Sequence, residues 1–321
     1  MVIRRKLNSL QEHWSHGGIY RLWQKSCERL LYFFYPILSP IIFVKLKVSI
    51  FVGYWANVTY PRSFSEKIVH SKLFYPNPLA SQITDKFRVR DYVSKKASSE
   101  ILNELYWVGN DPDRIPFDSL PKSFVVKANH GAGLNIFVKD GADLAKDLVR
   151  QEARFWMEMT YSALTRSYET QYDGIDPVIL IERFMTDDHY DHPLDYKFFC
   201  FHGEPWFIQV DIDRFGHHKR NIYDAAWRLA PFELHYRNGR DIPRPNKLDE
   251  MLEIARKLSA DFEFCRVDLY LLNDEQILFG EITLYPGGGF ERFFPRQWDF
   301  KLGELWHLGC GPVGETGDGA K

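Results

Sequence analysis

The chain contains 321 residues, of which 45% are hydrophobic and 16% aromatic, and its formal net charge is −2. This composition is typical of a globular protein of two or three subdomains and excludes an intrinsically disordered chain. The charge disfavours nucleic acid as the main partner, because proteins that bind the phosphate backbone carry a basic stripe. The four cysteines are scattered, with no CxxC motif, which is typical of a protein from a reducing cytoplasm.

The N-terminal segment is basic and contains an apolar run over residues 30–46. Eight Lys or Arg side chains against Glu12 and Glu28 give the first 50 residues a net charge of +6. The run is shorter than the roughly 20 residues that a spanning helix needs, and Pro36 and Pro40 interrupt it. A cleavable signal peptide also fits poorly, because no small-residue cleavage site follows the run. It is therefore either a packed helical layer or an interfacial membrane anchor with basic flanks, and we favour the anchor.

Two helices are predicted after this segment. Ser63 and Glu66 have the spacing of a capping box, so the first helix begins here. The second helix lies in TDKFRVRDYVSKKA, with Thr84 or Asp85 as its cap. Lys86 shares a face of this helix with the arginine four residues later. Taken alone, such a run is typical of a solvated helix.

A strand that ends in a lysine and a glycine-rich turn follow. Residues 124–128 and 136–139 are predicted strands, and the turn between them contains Gly131 and Gly133. Small residues let backbone amides approach a phosphate closely, and Lys127 could reach the same group. Because the spacing matches neither a P-loop nor GxGxxG, a plain hairpin is the alternative.

Strands and helices alternate in the remaining chain. The sequence predicts a helix over 143–160, a strand over 178–181 that ends at Glu182, a hairpin over 195–213 with Lys197 among aromatic residues, and a helix over 248–258. From residue 307 the chain is predicted to be a flexible tail. This alternation predicts an α+β fold, with antiparallel sheets that are each covered by helices.

The stretch FCRVDLYLLNDEQILFGEIT, residues 264–283, is predicted to be a hairpin that sets two carboxylates into apolar strands. If the loop centres between residues 274 and 275, Asp268 faces Glu281, Arg266 faces Thr283, and all four share one face. Directly opposed like charges destabilise a sheet, so a cation is expected between them. Mg2+ or Mn2+ fits, because these ions bind carboxylate oxygens and are shared with substrate phosphates. A solvated sheet face is the alternative.

The order of these pieces resembles the ATP-grasp superfamily. The words RSFSEK, TDKFRVRDYV, KANHGAG, DYKFFCFHGEP, RVDLY and FGEIT resemble the TupA-like ATP-grasp family, which is associated with teichuronopeptide and other surface-polysaccharide synthesis. The resemblance implies two α+β subdomains that grip ATP between antiparallel sheets, after a helical N-terminal segment. We expect boundaries at 1–60 for the N-terminal segment, 61–181 for the N-terminal and Gly-loop subdomain, 182–306 for the C-terminal subdomain with the metal hairpin, and 307–321 for the tail.

The resemblance also implies roles for individual residues, by analogy with the D-alanine:D-alanine ligase branch. Lys86 and Lys127 would bind phosphates under the Gly131 to Gly133 loop. Glu182 would bind the adenine amine, with the backbone of Arg183, Phe184 and Met185 lining the base, and Lys197 would bind the nucleotide. Arg266 would contact the transferring phosphate and acyl oxygens, and Asp268, Glu281 and Thr283 would hold the metals. One departure is plain. The family pattern has Asn two residues after the Glu, and the Thr283 hydroxyl is a weaker ligand, which puts binding of two metal ions in doubt.

The implied function is ATP-dependent ligation of a carboxylate to an amine through an acylphosphate. The substrates would be an amine or amino acid and a uronic-acid carboxylate of a cell-surface polysaccharide, with ATP and Mg2+ (or Mn2+), in the cytoplasm or at the inner face of the cell membrane. Catalysis would rest on positioning and charge stabilisation, which needs no nucleophilic side chain. The alternatives are a metal-dependent glycosyltransferase that uses Asp211 and Asp213, and a non-catalytic glycan-binding protein with a degenerate nucleotide site.

Several side chains are weaker candidates for contacts with an acidic acceptor. The cations are Arg62, Lys67, Arg214 and Arg220. The stretch YPGGGFERF, residues 285–293, could line the same site, because its glycines allow close approach.

Overall fold

The computed structural model describes residues 18–141, 145–190, 192–214 and 216–309, without the side chains of residues 18–21. The basic side chains before residue 18, the helix start predicted at Asp143, and the tail from residue 310 lie outside the described residues.

The described chain alternates helices and strands. The helices are α1 (Gly18–Phe34), α2 (Pro40–Phe51), α3 (Phe64–Phe74), α4 (Ala80–Thr84), α5 (Val89–Lys96), α6 (Lys146–Glu158), α7 (Tyr161–Thr165), α8 (Leu248–Ser259) and α9 (Gln297–Leu305). The strands are β1 (Leu105–Gly109), β2 (Phe124–Ala128), β3 (Asn135–Val138), β4 (Ile179–Arg183), β5 (Asp195–Phe201), β6 (Glu204–Ile212), β7 (Lys219–Asp224), β8 (Glu233–Leu234), β9 (Phe264–Leu272), β10 (Gln276–Thr283) and β11 (Phe293–Phe294). Short 3-10 turns occur at Tyr35–Ile37, Ser99–Ile101, Pro112–Arg114, Thr170–Tyr172 and Pro286–Gly289.

The strands form antiparallel sheets. The first sheet has the order β1-β4-β2-β3, the second has the order β10-β9-β5-β6-β7, and β8 pairs with β11. Helix α6 packs on the first sheet and α8 on the second. The predicted α+β fold, with antiparallel sheets covered by helices and a helical N-terminal segment, is confirmed.

Alternation along the strands separates an apolar face from a polar face in the first sheet. Phe124 and Val126 of β2 share a hydrophobic core with Ala153 of α6. Because side chains alternate, Lys127 lies on the opposite face. Glu182 of β4 pairs in register with the residue two positions before Lys127, so it lies on that same face.

The second sheet is divided in the same way. Cys265 and Val267 of β9 share the largest hydrophobic core with Leu258 of α8. The opposite face carries polar side chains that are in register across three strands, since Glu281 pairs with Asp268 and Asp268 pairs with Lys197. The polar faces of the two sheets therefore hold most of the predicted site residues.

Helices α3 to α5 pack into the core of the second sheet. Phe64 and Ile68 of α3, Ile83 of α4, and Val93 of α5 all belong to that core. The boundaries predicted at residues 60, 181 and 306 stay predictions, and α3 to α5 are physically joined to the sheet that carries residues 264–283.

The N-terminal apolar run divides into two parts with different surroundings. Phe43, Val44 and Val48 of α2 are buried in a core that also includes Val69 of α3. This part is a packed layer. The outward side of α1 and the following turn is exposed, with Phe33 at 76% exposure. Within the described ranges, no helix is long and apolar enough to cross a membrane.

The helix predicted around Lys86 is interrupted. Helix α4 ends at Thr84 and α5 begins at Val89. The Asp85 carboxylate accepts hydrogen bonds from the amides of Phe87 (2.8 Å) and Arg88 (3.1 Å), which stabilises a turn between the two helices. Lys86 therefore lies in a turn, and the prediction that it lies on a helix face is wrong.

The predicted capping box at the start of α3 is confirmed. The Ser63 hydroxyl accepts from the Glu66 amide, and the Glu66 carboxylate accepts from the Ser63 amide. The structure adds a distant partner, Asp299 of α9, whose carboxylate accepts from the Ser65 amide and the Tyr54 hydroxyl, each at 2.8 Å. This buried carboxylate joins α9 to α3.

We expect Asp299→Ala to lower the free energy of unfolding by about 2 kcal/mol, because it leaves the buried Ser65 amide without an acceptor and removes one of the two hydrogen-bond partners of the Tyr54 hydroxyl. Urea unfolding measures this change. Asp299→Asn is the matched control, because its amide oxygen can still accept from Ser65, and it should cost less. Equal stability of the alanine variant and the wild type would contradict the role of Asp299.

Candidate active site

The carboxylate hairpin has the predicted pairs but a different register near its turn. Glu281 pairs with Asp268 and Thr283 with Arg266, as predicted, and the prediction of these pairs is confirmed. Close to the turn, however, Gln276 pairs with Leu272, so the loop is one residue shorter than expected. A bulge at Gly280 inserts the missing residue and restores the predicted register beyond it.

The cation between the two carboxylates is Arg266. Its guanidinium donates to both oxygens of Asp268, each at 2.7 Å, and to Glu281 Oε1 at 3.1 Å. It also donates to the Thr283 hydroxyl at 3.2 Å, which in turn donates to Glu281 at 2.8 Å. The like-charge repulsion inferred from the sequence is therefore balanced by a side chain on the same face of the hairpin.

The two carboxylates differ in accessibility. The Asp268 side chain is 5% exposed, and burial raises its pKa to about 6 although Arg266 and Lys197 lower it. The Glu281 side chain is 46% exposed. Burial also acts to raise the pKa of Glu281, but Arg266 and Lys86 bring it below its ordinary value. Glu281 is thus the more accessible, charged carboxylate.

Lys86 brings the two polar sheet faces together. Its ammonium donates to the backbone carbonyl of Gly131 in the glycine-rich loop. Burial lowers the pKa of Lys86, whereas the nearby carboxylates of Glu281 and Glu182 raise it, and Lys127 lowers it. Cations and carboxylates from both sheets are therefore close enough to interact.

Lys127 and Glu182 are paired with each other. The Lys127 ammonium lies 2.7 Å from Glu182 Oε2, and the guanidinium of Arg90 lies 3.8 Å from Glu182 Oε1. The Lys127 side chain is 23% exposed, so a phosphate can compete for it. The roles predicted for this pair, phosphate binding and adenine binding, stay predictions.

The glycine-rich loop needs glycine at two positions. Gly133 has a φ of +74°, in the left-handed region that favours glycine. A Cβ on Gly131 would lie 2.6 Å from a Leu134 methyl carbon and 2.7 Å from the Tyr161 ring. A Cβ on Gly133 would meet no atom within 4 Å, so the backbone of this loop is uncovered at Gly133 and tightly packed at Gly131.

The predicted adenine-lining segment follows β4. The Arg183 backbone amide donates to the Glu104 carbonyl (2.9 Å), and the Arg183 carbonyl accepts from the side-chain amide of Asn103 (2.9 Å). Phe184 forms an edge contact with Phe137 of β3, and Met185 is half-buried beyond it. The Arg183 backbone is therefore already engaged, and the base-lining role of Arg183, Phe184 and Met185 stays a prediction.

Lys197 is buried among carboxylates. Its ammonium contacts Asp195 and lies 3.2 Å from Asp211 Oδ2. Asp211 also accepts from Arg220 (2.7 Å), and its pKa is far below its ordinary value because His218, Arg220 and Lys197 outweigh burial. The nucleotide contact predicted for Lys197 stays a prediction, and here it forms part of a buried ion network.

Two of the weaker acceptor candidates are engaged elsewhere. Arg220 is buried between Asp211 and Glu291, at 2.7 and 2.8 Å. Lys67 donates to backbone carbonyls at the end of α9, including that of Gly303 at 2.8 Å. Neither is available to an acidic acceptor in this arrangement. Arg214 remains 55% exposed beside Asp195.

Sequence reasoning missed Tyr172 as a neighbour of the site. A small cavity beside the hairpin is lined by Lys86, Tyr172, Glu281 and Thr283. Burial strongly raises the pKa of Tyr172, and Glu281 acts in the same direction. Its position in a 3-10 turn of an irregular segment offers no periodic signal, so no sequence pattern could have found it.

The residues on the hairpin fit a hard divalent cation that is shared with phosphate. In the described part of the chain, no three His, Cys, Asp or Glu side chains are clustered as metal ligands. Asp268 gives both oxygens to Arg266, whereas Glu281 is the accessible carboxylate, with the Thr283 hydroxyl hydrogen-bonded beside it. Mg2+ typically uses one or two carboxylates and completes its shell with water and phosphates. The predicted ligand set stays a prediction.

The family model for TupA-like ATP-grasp proteins matches residues 66–307, which is most of the chain. No curated protein matches the chain.

Solved structures with similar chains include several ATP-grasp proteins. The ATP-grasp ligase PsnB, complexed with a phosphomimetic variant of a minimal precursor, Mg and ADP, is 12% identical with a TM-score of 0.39, over 65% of this chain and 53% of that one. The D-alanine-D-alanine ligase from Helicobacter pylori is 19% identical with a TM-score of 0.39, over 70% and 60% of the two chains.

The D-alanyl-alanine synthetase A from Vibrio cholerae is 13% identical with a TM-score of 0.39, over 66% of this chain and 59% of that one. This chain therefore spans less than two thirds of the length of these proteins, and at these TM-scores the likeness carries no argument of its own. The family match confirms the resemblance that the sequence motifs predicted. On that match, the chain belongs to the TupA-like ATP-grasp family.

Proposed function

We propose that the protein is an ATP-dependent carboxylate–amine ligase, which forms an amide through an acylphosphate. The observation that carries the proposal is the convergence of Lys86 from a turn, Lys127 from the first sheet, and the Arg266, Asp268 and Glu281 group from the second sheet. Cations and carboxylates in one cleft are the groups that phosphoryl transfer requires. Membership of an ATP-grasp family supports the same reaction.

The cations on the first sheet side bind the nucleotide phosphates. Lys127 exchanges Glu182 for a phosphate oxygen when nucleotide enters, and Lys86 reaches the same region through its contact with Gly131. The uncovered backbone at Gly133 allows its amide groups to approach the phosphates. Glu182, released from Lys127, becomes free to accept from the adenine amine.

The hairpin stabilises charge on the transferring group. Glu281 and Asp268, with Thr283, would hold Mg2+, which would supply charge neutralisation for the phosphates. Arg266, which Asp268 orients through two hydrogen bonds, contacts the negative oxygens of the phosphoryl group and of the attacking carboxylate. Such fixed cations stabilise developing charge without reorganisation. Lys197 pairs in register with Asp268 and adds positive charge to the same polar face of the second sheet.

We further propose that the carboxylate belongs to a uronic acid of a cell-surface polysaccharide and that the amine is an amino acid or related amine. The family's association with teichuronopeptide and other surface polysaccharides supports this choice. ATP use favours a reaction in the cytoplasm, and a role in the assembly of surface polysaccharide would favour the inner face of the cell membrane.

The two alternative functions have less support. A glycosyltransferase would need the Asp211 carboxylate for its metal, but Asp211 is buried and paired with Arg220, Lys197 and His218. A non-catalytic glycan-binding protein would follow from loss of metal binding at Thr283, yet Glu281 remains accessible.

A screen of ATP with amino acids and uronic-acid glycans tests the proposal. Mass spectrometry should detect ADP together with a condensation product whose mass equals amine plus carboxylate minus water. ATP consumption without a condensation product, or a product that requires a sugar nucleotide, would overturn the ligase proposal. Absence of nucleotide binding would favour the non-catalytic alternative.

We expect Lys127→Ala to weaken nucleotide affinity about tenfold to a hundredfold, because a phosphate contact from an ammonium is worth roughly 1.5–3 kcal/mol. Calorimetry with ADP and Mg2+ measures the loss. Lys139→Ala is the matched control, since Lys139 is exposed just beyond β3. Unchanged affinity of the Lys127 variant would remove Lys127 from the nucleotide site.

A further inference from the structure

We infer that the outward face of the N-terminal helical hairpin is a docking surface for an anionic membrane. We define this outer face by Trp23, Leu30 and Phe33 of α1, Ile37 of the following turn, and Ile42 of α2. This inference concerns where the protein binds and is independent of the ligase proposal.

The outer face carries large apolar side chains with high exposure to solvent. Trp23 is 50% exposed, Leu30 59%, Phe33 76% and Ile37 78%. Trp23 and Leu30 are seven residues apart, and Leu30 and Phe33 three apart, so they lie on one side of α1. The opposite side of the hairpin is covered, because Leu31 shares a core with Phe43 and its neighbours on α2.

The charged side chains of α1 also differ between the outer side and the inner side of the helix. Lys25 and Arg29 are exposed and lie at the margin of the apolar stripe, four residues from one another. The one acidic residue of α1 is Glu28, which is turned inward, 3.9 Å from the buried ammonium of Lys47. The described part of the outer face thus presents cations without carboxylates from its own helix.

This combination matches an anionic lipid surface better than a protein partner. A helix with an apolar stripe and basic margins lies in the membrane interface with its apolar side among the acyl chains. Exposed tryptophan suits the headgroup region. The proline-containing turn places Ile37 at the tip of the hairpin, where it can enter the interface first. Since no described helix can span a bilayer, the contact is peripheral.

The hairpin is firmly attached to the rest of the protein, so docking would also orient the cleft. The Arg166 guanidinium donates to the Tyr32 carbonyl at 2.7 Å. The Lys47 ammonium lies 4.7 Å from the Phe290 ring centre, and Phe290 follows the Pro286–Gly289 turn after β10. Removing residues 1–46 would expose the core around Val48, so substitutions on the outer face are the appropriate test.

The experiment measures binding of the full-length protein to vesicles of phosphatidylglycerol with phosphatidylcholine, and to phosphatidylcholine alone, at low and high salt. The apolar variant is Phe33→Ser with Ile37→Ser, and the charge variant is Lys25→Gln with Arg29→Gln. Leu148→Ser with Phe155→Ser on α6 is the matched control, because these side chains are 62% and 54% exposed on another helix. Thermal unfolding of each variant verifies that it is folded.

We expect the wild type to bind anionic vesicles at low salt and to lose binding at high salt. The apolar variant should lose on the order of tenfold or more in partition coefficient on anionic vesicles. The charge variant should lose about tenfold or more on the same vesicles. The control pair should bind like the wild type.

Failure of the wild type to bind anionic vesicles at low salt would overturn the inference, whether another protein or residues 1–17 cover the face. So would equal binding to neutral vesicles, or an equal loss in the control pair. If the wild type is a dimer and the apolar variant a monomer, without vesicle binding by either, the occupant is a second copy. Should the apolar variant fail to fold, the charge variant decides by the same comparison.

Discussion

Glu281→Gln is expected to lower the rate of ATP turnover about a hundredfold or more, which is the typical loss when a group that stabilises transition-state charge is removed. Glu281 is the accessible carboxylate of the hairpin, and its charge is maintained by Arg266 and Lys86. The amide of glutamine can still accept from Thr283, so the fold should be retained. Thermal unfolding should show a midpoint equal to or slightly below that of the wild type, because Arg266 and Lys86 lower the pKa of Glu281 and its charge therefore stabilises the folded state.

The measurement is ADP release with the acceptor found in the screen, over a titration of Mg2+. Glu275→Gln is the matched control, because Glu275 is an exposed acid in the turn of the same hairpin. It should turn over ATP at the wild-type rate. Near-native turnover of Glu281→Gln at all Mg2+ concentrations would show that the metal assignment is wrong.

Arg266→Met is expected to lower the free energy of unfolding by about 3 kcal/mol in the absence of nucleotide and metal. Removing one member of a buried ion pair leaves an uncompensated charge, which is strongly destabilising. The Arg266 side chain is 11% exposed and Asp268 5%, so solvent cannot replace the lost partner. Urea unfolding measures the change, and Mg2+ should restore part of it if a metal can occupy the place of the guanidinium.

Two further variants give this prediction its controls. Adding Asp268→Asn to Arg266→Met should recover much of the lost stability, because the buried negative charge is removed with its partner. Arg228→Met should change stability by no more than about 0.5 kcal/mol, since its pair with Asp224 is on an 80% exposed side chain. An Arg266→Met variant as stable as the Arg228 variant would contradict the view that Arg266 balances the two carboxylates.

Local patterns in the sequence predicted several elements correctly. The spacing of Ser63 and Glu66 predicted the start of α3, and helical spacing of apolar residues predicted α8. Period-two alternation predicted which residues of the 264–283 hairpin share a face. Each of these features depends on residues that are neighbours in sequence, so the chain's own geometry determines them. The sequence motifs, in their order along the chain, indicated the TupA-like ATP-grasp family, and the match to the family model confirmed it.

The register of that hairpin was predicted correctly at the site residues, but for a reason that local patterns explain only in part. The predicted pairs of Asp268 with Glu281 and of Arg266 with Thr283 are present, but a bulge at Gly280 compensates for a shorter loop. A Cβ on Gly280 would approach the Asp268 carbonyl to 3.0 Å, so glycine suits this position. A single glycine in a strand is consistent with several arrangements, and pairing across the sheet selects one.

The composition of the site depends on contacts between distant residues. The sequence predicted a cation between Asp268 and Glu281, with Mg2+ or Mn2+ as the best fit and a solvated sheet face as the alternative. The tertiary structure places the guanidinium of Arg266 between them. Lys86 lies in a turn because the Asp85 side chain competes with helix formation there. Such choices depend on which partners folding brings within hydrogen-bonding distance, and no local periodicity encodes them.

The N-terminal segment shows the same division. Its composition determined that it is apolar, basic and too short to span a membrane, and left a packed layer and an anchor as alternatives. The tertiary structure assigned Phe43 and Val48 to a core, and left Phe33 and Ile37 outside it. Hydropathy is a property of each residue, whereas burial depends on which surface the rest of the fold presents to it, and only the tertiary structure could separate the two faces of one apolar run.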